Sequence, residues 1–538
     1  MRTRLDRLCR MPERWLARAA RHRALSICFV GALTFAGSAL AAWGTHIPQP
    51  SVHDEFSYLL ASDTFAHGRL TNPTHPMWTH FESMHIIQRP SYASKYPPAQ
   101  GLILAAGQVA GGHPVVGVWL SAGLASAAIY WMLLGWVPPG WALLGALIVL
   151  ARIGIPSYWS QSYWGGWAAA LGGALVFGAL RRLLRRPRVG DSLLLGVGLA
   201  VLANSRPYEG LVLSLPALAL LGACLLRERD SLKRITLVRT LLPTGILLAC
   251  TVPAMAFYNW RVTGSAVEFP YVVHERTYAV KPFFLWQQPR PMPEYRHEVI
   301  RAFQMEELEV YKRQQTFAGF LQEIRRYKGK ELFRFYLGRP GALLLVALPW
   351  VLRNRWMGFA ALACAILGAG LLLETHTFPH YAAPATGLVF LLLVQSLRHI
   401  RLLRWRDFRV GRIVFWAFPL ICVYHLWISF ALPIRVEPRW ALRRGQLLSQ
   451  LWQDGGRHLV IVRYGARHVP DDEWVYNEAD IDQARVVWAR DMDAVKNREL
   501  LQYFANRRVW LLEVDGDDPS LVPYPASEPL ASSALPTD

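Results

Sequence analysis

Cysteine and nucleotide-binding motifs are scarce or missing in this sequence. The chain has 538 residues but only six cysteines, and none of them forms a CxxC pair. We therefore expect no disulfides and no cysteine metal site. No Walker-type phosphate loop and no glycine fingerprint of a dinucleotide-binding fold occurs in the sequence. The sequence therefore gives no sign of a nucleotide site.

Acidic residues are also few, with 38 Asp and Glu against 58 Lys and Arg, which gives a formal net charge of +20. Such a charge in a soluble protein would suggest nucleic acid. Here, however, 53% of the residues are hydrophobic, and the arginines cluster in short segments between apolar runs. This pattern is typical of membrane topology, so we expect the partner of this chain to be a lipid bilayer and not nucleic acid.

Hydropathy predicts an all-α polytopic membrane domain with about eleven transmembrane helices and a large first periplasmic loop. The clearest apolar segments are Ala24 to Trp43, Val115 to Trp136, Trp141 to Ile155, Trp164 to Leu180, Leu193 to Asn204, Leu211 to Leu226, Leu241 to Tyr258, Gly341 to Leu352, Met357 to Leu373, Tyr381 to Leu397 and Ile413 to Leu432.

Basic segments fix the predicted orientation. The arginine-rich N-terminus and four further basic loops all fall on one side when these spans are counted: Arg181 to Arg188, Arg227 to Arg239, Arg353 to Arg355 and Arg398 to Arg412. The positive-inside rule places that side in the cytoplasm. We therefore expect a multi-pass protein of the bacterial inner membrane. The first apolar run has an alternative interpretation as a signal peptide, because Ser38 to Ala41 resembles a cleavage site.

Three regions follow from this pattern: a basic cytoplasmic N-terminus (1–23), a transmembrane domain (24–432) and a periplasmic α/β domain (433–538). In the last region, His458 to Tyr464 and Arg508 to Val514 are typical of buried strands, and Asp493 to Phe504 of a helix between them. The acidic run Asp471 to Glu473 is predicted to be a solvated loop.

Asp54 and Glu55 lie about ten residues beyond the first apolar span. They suit the start of an interfacial helix from Glu55 to His67, because acidic residues stabilise a helix N-terminus. A carboxylate at the outer membrane surface is also placed to act as a general base on a lipid-borne substrate. The two roles are compatible, and we predict a catalytic one for Asp54.

Glu82, Lys95 and Tyr96 follow in the same outer loop, just before Pro97 and Pro98. A lysine in this position can anchor the chain at the membrane surface, or it can bind a lipid phosphate as a point charge. Sequence alone leaves both roles open for Lys95.

Two further polar groups stand at the outer ends of predicted spans. Arg206 and Glu209 are close enough to neutralise each other, although an arginine can instead bind phosphate. His376, His380 and Tyr381 flank the start of another span. Their spacing is not a recognised zinc pattern, so no cofactor is assigned and a divalent cation is only a possible one.

These motifs in this order resemble the C-type glycosyltransferase superfamily, and within it the dolichyl-phosphate-mannose protein mannosyltransferases and the lipid A aminoarabinose transferases. The resemblance covers roughly residues 24 to 400. It rests on Asp54, Glu55, Tyr58, Gly68, Arg69, Leu70, Lys95, Pro97, Pro98, Arg206, Pro207, Glu209, His380, Tyr381 and Pro384.

The resemblance implies sugar transfer from a polyprenyl-phosphate donor to a glycan, lipid or protein acceptor outside the cytoplasm, usually with inversion. It maps the residue that acts as base or orients the acceptor onto Asp54, with Glu55 taking or sharing that role, and donor-phosphate binding onto Lys95. Arg206 is a second candidate phosphate ligand from its chemistry. Substrate-binding or structural roles are expected for Tyr58, Glu82, Tyr96, Glu209, His376, His380 and Tyr381. A lipid or polyol transporter and a non-catalytic envelope assembly factor are the alternatives.

Overall fold

The computed structural model describes residues 15–44, 46–227, 237–404, 406, 410–432 and 437–525. Most of the basic N-terminus, most of the predicted loop from Arg227 to Arg239 and part of that from Arg398 to Arg412 lie outside these residues. The α-helices are Arg23–Trp43, His53–Ala66, Pro98–Gly111, Pro114–Trp136, Pro139–Val149, Trp167–Leu183, Val189–Ala203, Pro207–Arg227, Leu242–Thr263, Pro270–Tyr278, Glu298–Arg313, Phe317–Glu323, Gly329–Tyr336, Gly338–Leu345, Leu348–Leu352, Arg355–Leu373, Thr386–Ile400, Val410–Ala431, Arg439–Asp454 and Ala494–Tyr503. The strands are β1 (Asn72–Pro73), β2 (Ile86–Ile87), β3 (Ser91–Ser94), β4 (His458–Arg463), β5 (Val486–Arg490), β6 (Arg508–Glu513) and β7 (Leu521–Pro523).

Seven helices in the described part of the chain are long and apolar enough to cross a membrane, and each corresponds to one of the predicted spans. They are Arg23–Trp43, Pro114–Trp136, Pro207–Arg227, Leu237–Thr263, Arg355–Leu373, Ala383–Ile400 and Val410–Phe430. Two more apolar helices, Pro139–Gly154 and Val189–Ala203, are shorter. The fold is thus a largely helical membrane domain.

The eleven-span count itself is not confirmed. The predicted span from Trp164 to Leu180 lies in the 17-residue helix Trp167–Leu183, most of whose residues are buried against neighbouring helices. The span predicted from Gly341 to Leu352 is divided into two short helices, and the second of them begins at Leu348 with Pro349 in its first turn. In Trp167–Leu183 the apolar character reflects burial within the protein, which a hydropathy window does not distinguish from contact with lipid.

Close packing of the helix Trp167–Leu183 brings the segment that contains His380 and Tyr381 into the bundle. A Cβ atom at Gly173 would lie 1.8 Å from the carbonyl oxygen of Pro384, so this position requires glycine. Small residues allow two backbones to approach closely in a membrane domain.

Residues 46–113, between the first two long membrane helices, form a small folded unit, which we call the first outer loop after its predicted side of the membrane. Its helix His53–Ala66 packs on Pro98–Gly111, and a three-stranded antiparallel sheet with the order β1-β3-β2 lies beside it. The helix begins two residues earlier than predicted, and its N-cap is Val52. Asp54 therefore lies in the first helical turn and does not cap the helix.

The C-terminal region carries a mixed sheet with the order β5-β4-β6-β7, in which β4 pairs in parallel with β5 and β6, and β7 is antiparallel to β6. The two strands and the helix predicted here are confirmed within a residue. Strand β5 and the helix Arg439–Asp454 were not predicted.

Arg490, a member of a buried ion pair within this region, joins the region to the first outer loop. The Arg490 guanidinium lies beside the Glu473 carboxylate, and both side chains are 1% exposed or less. Nε of Arg490 also donates to the backbone carbonyl of Glu82 at 2.6 Å. The prediction of a solvated acidic loop is therefore wrong for Glu473, because its partner is 17 residues away on β5.

The orientation of the bundle gives a testable prediction. If the basic loops lie in the cytoplasm, reporter fusions at Arg186 and Gly455 should report opposite sides of the membrane, with Gly455 outside. A periplasmic phosphatase and a cytoplasmic fluorescent reporter fused at each position would give complementary signals. Signals from the same side at both positions would contradict the predicted topology.

Candidate active site

Asp54 is the centre of a buried polar cluster in the first outer loop. The Tyr96 hydroxyl donates a hydrogen bond to Oδ1 of Asp54. Oδ2 lies 3.3 Å from Nδ1 of His53 and 3.8 Å from Nε2 of His85. The first helical turn and three neighbouring side chains thus hold the carboxylate in one direction.

The electrostatics of this cluster keep Asp54 ionised. Burial raises the pKa of the Asp54 carboxyl, but the hydrogen bonds from His53 and Tyr96 outweigh burial and hold that pKa well below its ordinary value. Burial, helped by the charge of Lys95, lowers the pKa of His85 well below its ordinary value. Asp54 is therefore a carboxylate at neutral pH and can accept a proton or a hydrogen bond from a substrate.

The C-terminal region reaches this cluster through Asp471. Oδ1 of Asp471 lies 3.3 Å from Nε2 of His53, so the imidazole bridges Asp471 and Asp54. Burial lowers the pKa of His53, but its hydrogen bonds to the two carboxylates outweigh burial and raise that pKa to about 9. A protonated His53 between two carboxylates ties the C-terminal region to the candidate base.

Glu55 faces a different environment from Asp54. Its side chain is fully buried. One carboxylate oxygen accepts the backbone N–H of Ser51 at 3.1 Å, and the other accepts that of Tyr163 at 2.9 Å. These contacts suit an anchor that fixes the start of the helix against the neighbouring outer loop. A reacting role, which the resemblance left open for Glu55, is not supported by this geometry.

Tyr96 connects Asp54 to Lys95 and Tyr58. The rings of Tyr58 and Tyr96 are stacked, with centroids 4.4 Å apart. The Lys95 ammonium lies 5.4 Å from the centroid of the Tyr96 ring. It is also 3.2 Å from Oε1 of Glu275, in the helix Pro270–Tyr278. Lys95 is therefore a buried, paired cation next to the Asp54 cluster, which excludes a simple surface anchor.

Arg206 contacts a third tyrosine, Tyr381, and it interacts electrostatically with Tyr58, Tyr96 and Tyr381, which we call the tyrosine cluster. Its guanidinium carbon lies 4.3 Å from the centroid of the Tyr381 ring, and Nη1 is 3.4 Å from Oε1 of Glu209. Burial lowers the pKa of Arg206, but the charges of Glu209 and the nearby tyrosines, including Tyr58, outweigh burial and raise it. The structure thus brings two cations from distant parts of the sequence to one tyrosine cluster.

Glu82 lies apart from the Asp54 contacts. The Tyr278 hydroxyl donates to Oε1 of Glu82 at 2.9 Å, and His297 and Arg296 lie within 3.5 Å of the same carboxylate. Burial raises the pKa of Glu82. The backbone carbonyl of Glu82 also accepts a hydrogen bond from Arg490. Glu82 therefore belongs to the contact between the loop and the C-terminal region.

The two histidines of the later outer segment are also separated. His376 lies 3.0 Å from Oε1 of Glu307, whereas Nδ1 of His380 is 2.9 Å from the Tyr158 hydroxyl. Each has its own partner, so they do not form a joint metal site. Of the two, His380 is nearer the tyrosine cluster, since it adjoins Tyr381 and the two rings are in contact.

One group of three side chains in the described part of the chain can hold a metal ion. The ligand atoms of His53, Asp54 and His85 all lie within 4.8 Å of one another. Imidazole and carboxylate are suitable ligands for a divalent transition metal. A bound cation would have to replace the proton of His53, because a metal ligand must be deprotonated.

Comparisons with known proteins address the fold. No protein-family model and no curated protein matches the chain. Among solved structures, ArnT from Cupriavidus metallidurans in the apo state has a TM-score of 0.51 at 15% sequence identity, over 90% of this chain and 92% of that one. The chain shares the fold of ArnT. The resemblance to aminoarabinose transferases is thereby confirmed at the level of fold.

Two other solved structures match the chain with lower TM-scores. ArnT from the same organism bound to undecaprenyl phosphate has a TM-score of 0.48 at 15% identity, over 91% of this chain and 92% of that one. The archaeal oligosaccharyltransferase AglB from Archaeoglobus fulgidus has a TM-score of 0.48 at 10% identity, over 92% and 69%. The sequence resemblance covered residues 24 to 400, about seven tenths of the chain. The likeness to apo ArnT extends further, into the C-terminal region.

Proposed function

We propose that this chain is a membrane glycosyltransferase of the bacterial inner membrane, which moves a sugar from a polyprenyl-phosphate donor to an acceptor on the periplasmic side. The observation that carries the proposal is the Asp54 carboxylate, hydrogen-bonded by Tyr96, with Lys95 and Arg206 close to the same tyrosine cluster. One ionised base beside two buried cations suits attack by a hydroxyl and departure of a phosphate. The acceptor is an envelope glycan, lipid or protein.

The reaction would proceed by direct displacement at the anomeric carbon. The acceptor oxygen forms a bond to C1 of the sugar while the bond from C1 to the phosphate oxygen breaks, and the phosphate leaves with the electron pair. Asp54 takes the proton that the acceptor hydroxyl loses. Lys95 and Arg206 stabilise the charge that develops on the phosphate, which lowers the barrier because they are already in place.

Both cations already have a carboxylate partner, yet each retains donors for a phosphate. An ammonium has three N–H donors and a guanidinium has five. Glu275 occupies one donor of Lys95, and Glu209 contacts Arg206 through Nη1. The carboxylates offset the cost of burying the cations without a ligand. A donor phosphate would then share the cations with these carboxylates.

The proposal is tested with purified protein and a panel of polyprenyl-phosphate sugars. Release of polyprenyl phosphate that depends on an added acceptor is expected, and mass spectrometry of envelope glycans and lipids from a deletion strain should show one missing sugar. A complete envelope from that strain, together with no turnover of any donor, would contradict the proposal. Normal envelope assembly by an Asp54 variant would instead indicate a non-catalytic assembly factor.

Tyr96→Phe tests the hydrogen bond to the candidate base. This change keeps the ring on Tyr58 and Lys95 but removes the hydroxyl that orients Asp54. A hydrogen bond to a charged group is worth about 1.5 to 3 kcal/mol, and we expect kcat to fall about tenfold to more than a hundredfold with little change in the KM for donor.

Tyr92→Phe is the matched control for this variant. Tyr92 is a buried tyrosine of the same small sheet, and its hydroxyl donates to the backbone carbonyl of Asn477 at 3.0 Å. Tyr92→Phe should lower the stability of the protein but leave kcat unchanged. Equal kcat values for Tyr96→Phe and the unaltered protein would show that the hydroxyl does not orient the base.

A further inference from the structure

A cavity lies at the end of the helix bundle opposite Asp54. It has a volume of about 680 Å³, is partly open to its surroundings, and is lined by residues at and before the start of the first long helix, by the start of the helix Pro139–Val149, and by Phe415. The helix Arg23–Trp43 separates it from the outer loop, and its 21 residues span about 30 Å. This cavity is therefore distinct from the candidate donor site.

The walls of the cavity combine apolar and cationic groups. Leu16, Leu144 and Phe415 provide apolar surface, and Arg21 and Arg23 also line it. No Asp or Glu occurs among the described residues that line the cavity. An occupant therefore needs both a negative charge and an apolar part.

Two further arginines strengthen the positive charge of this site. Trp141 forms part of the cavity wall, and the guanidinium carbons of Arg398 and Arg401 lie 5.5 and 5.1 Å from its ring centroid. Tryptophan is typical of the interface between a membrane and water, and arginine binds phosphate oxygens with two parallel hydrogen bonds. The site thus matches an anionic head group at the membrane boundary.

We propose that this cavity binds one anionic phospholipid, with the phosphate between the arginines and the glycerol and first acyl carbons against the apolar wall. Its volume falls within the range of roughly 300 to 1,000 Å³ typical of small-ligand sites. A zwitterionic lipid is a poorer occupant, because the ammonium group of its head group would be repelled by the four arginines. By binding the folded protein, the lipid would stabilise it.

Native mass spectrometry of the full-length protein in detergent tests this site. Phosphatidylglycerol and phosphatidylcholine with the same acyl chains are titrated separately, and we expect one phosphatidylglycerol to bind at least tenfold more tightly than phosphatidylcholine. The variant Arg21→Gln/Arg23→Gln should weaken phosphatidylglycerol binding about 25-fold, since each charge contributes about fivefold. The control Arg185→Gln/Arg186→Gln removes two exposed arginines that do not line the cavity, and its binding should stay unchanged.

A second variant distinguishes the cavity from general surface charge. Ala17 lines the cavity and is exposed, so Ala17→Phe should fill the space without removing a charge. Loss of phosphatidylglycerol binding in this variant supports binding within the cavity. Equal binding of the two lipids, equal losses in both double variants, or unchanged binding in Ala17→Phe would overturn the proposal. Tight binding of undecaprenyl phosphate alone would also overturn it.

Discussion

Asp54→Asn is expected to lower sugar transfer by about a hundredfold to ten-thousandfold while leaving folded protein in the membrane. This range is the usual contribution of a positioned general base. Asparagine has nearly the size of aspartate and can still accept the hydrogen bond from Tyr96, but it cannot take the proton from an acceptor hydroxyl. Turnover of a polyprenyl-phosphate sugar by the purified variant, compared at matched protein concentration, measures the loss.

Asp63→Asn is the matched control for this substitution. Asp63 lies in the same helix, and its carboxylate accepts the backbone N–H of Ala479 at 2.7 Å. The control variant should keep its turnover, because an amide oxygen can accept the same hydrogen bond. Near-normal turnover by Asp54→Asn would exclude Asp54 as the base.

Chelation distinguishes a metal-binding role of the same residues from a role of Asp54 as a base alone. If His53, Asp54 and His85 bind an essential cation, EDTA should abolish transfer by the unaltered protein, and one divalent metal should restore it. If Asp54 acts only as a base, EDTA should leave the rate unchanged. Binding of a polyprenyl-phosphate analogue to Asp54→Asn should persist in the second case, because its defect lies in activating the acceptor.

Local sequence signals gave correct predictions for much of this chain. Alternating and apolar runs predicted the strands β4 and β6, the helix between them and seven of the long membrane helices, because each pattern depends on residues close in sequence. The count of eleven spans is not confirmed where apolar residues contact other helices, as in Trp167–Leu183. Segments that are buried in protein and segments that face lipid have the same hydropathy in sequence.

Long-range contacts could not be predicted in the same way. His53 and Asp471 are 418 positions apart, and no local pattern in the sequence indicates that they meet. The environment of His85 likewise depends on Asp54 and Lys95, which approach it only after the loop folds. Asp54 itself is a prediction from the sequence, because its position just beyond a membrane span is a local signal.

Replacement of Lys95 or Arg206 by Met is expected to weaken donor binding and to lower kcat/KM about tenfold to more than a hundredfold. In the proposed site, each change would remove one charge-assisted contact to phosphate, worth on the order of 1.5 to 3 kcal/mol, and would roughly preserve the apolar stem of the side chain. Binding of a polyprenyl-phosphate analogue in detergent and steady-state turnover are measured for both variants.

The ion pair between Lys95 and Glu275 requires a second variant for a clear interpretation. Lys95→Met alone leaves the Glu275 carboxylate buried without its cation, which destabilises the fold independently of any donor. The double variant Lys95→Met/Glu275→Gln removes both charges, so it should recover thermal stability while donor binding stays weak. Recovery of donor binding along with stability would mean that Lys95 serves only to neutralise Glu275. Normal binding and turnover in both the Lys95 and the Arg206 variants would refute the phosphate site, because neither cation would then contribute to donor binding or to the departure of the phosphate.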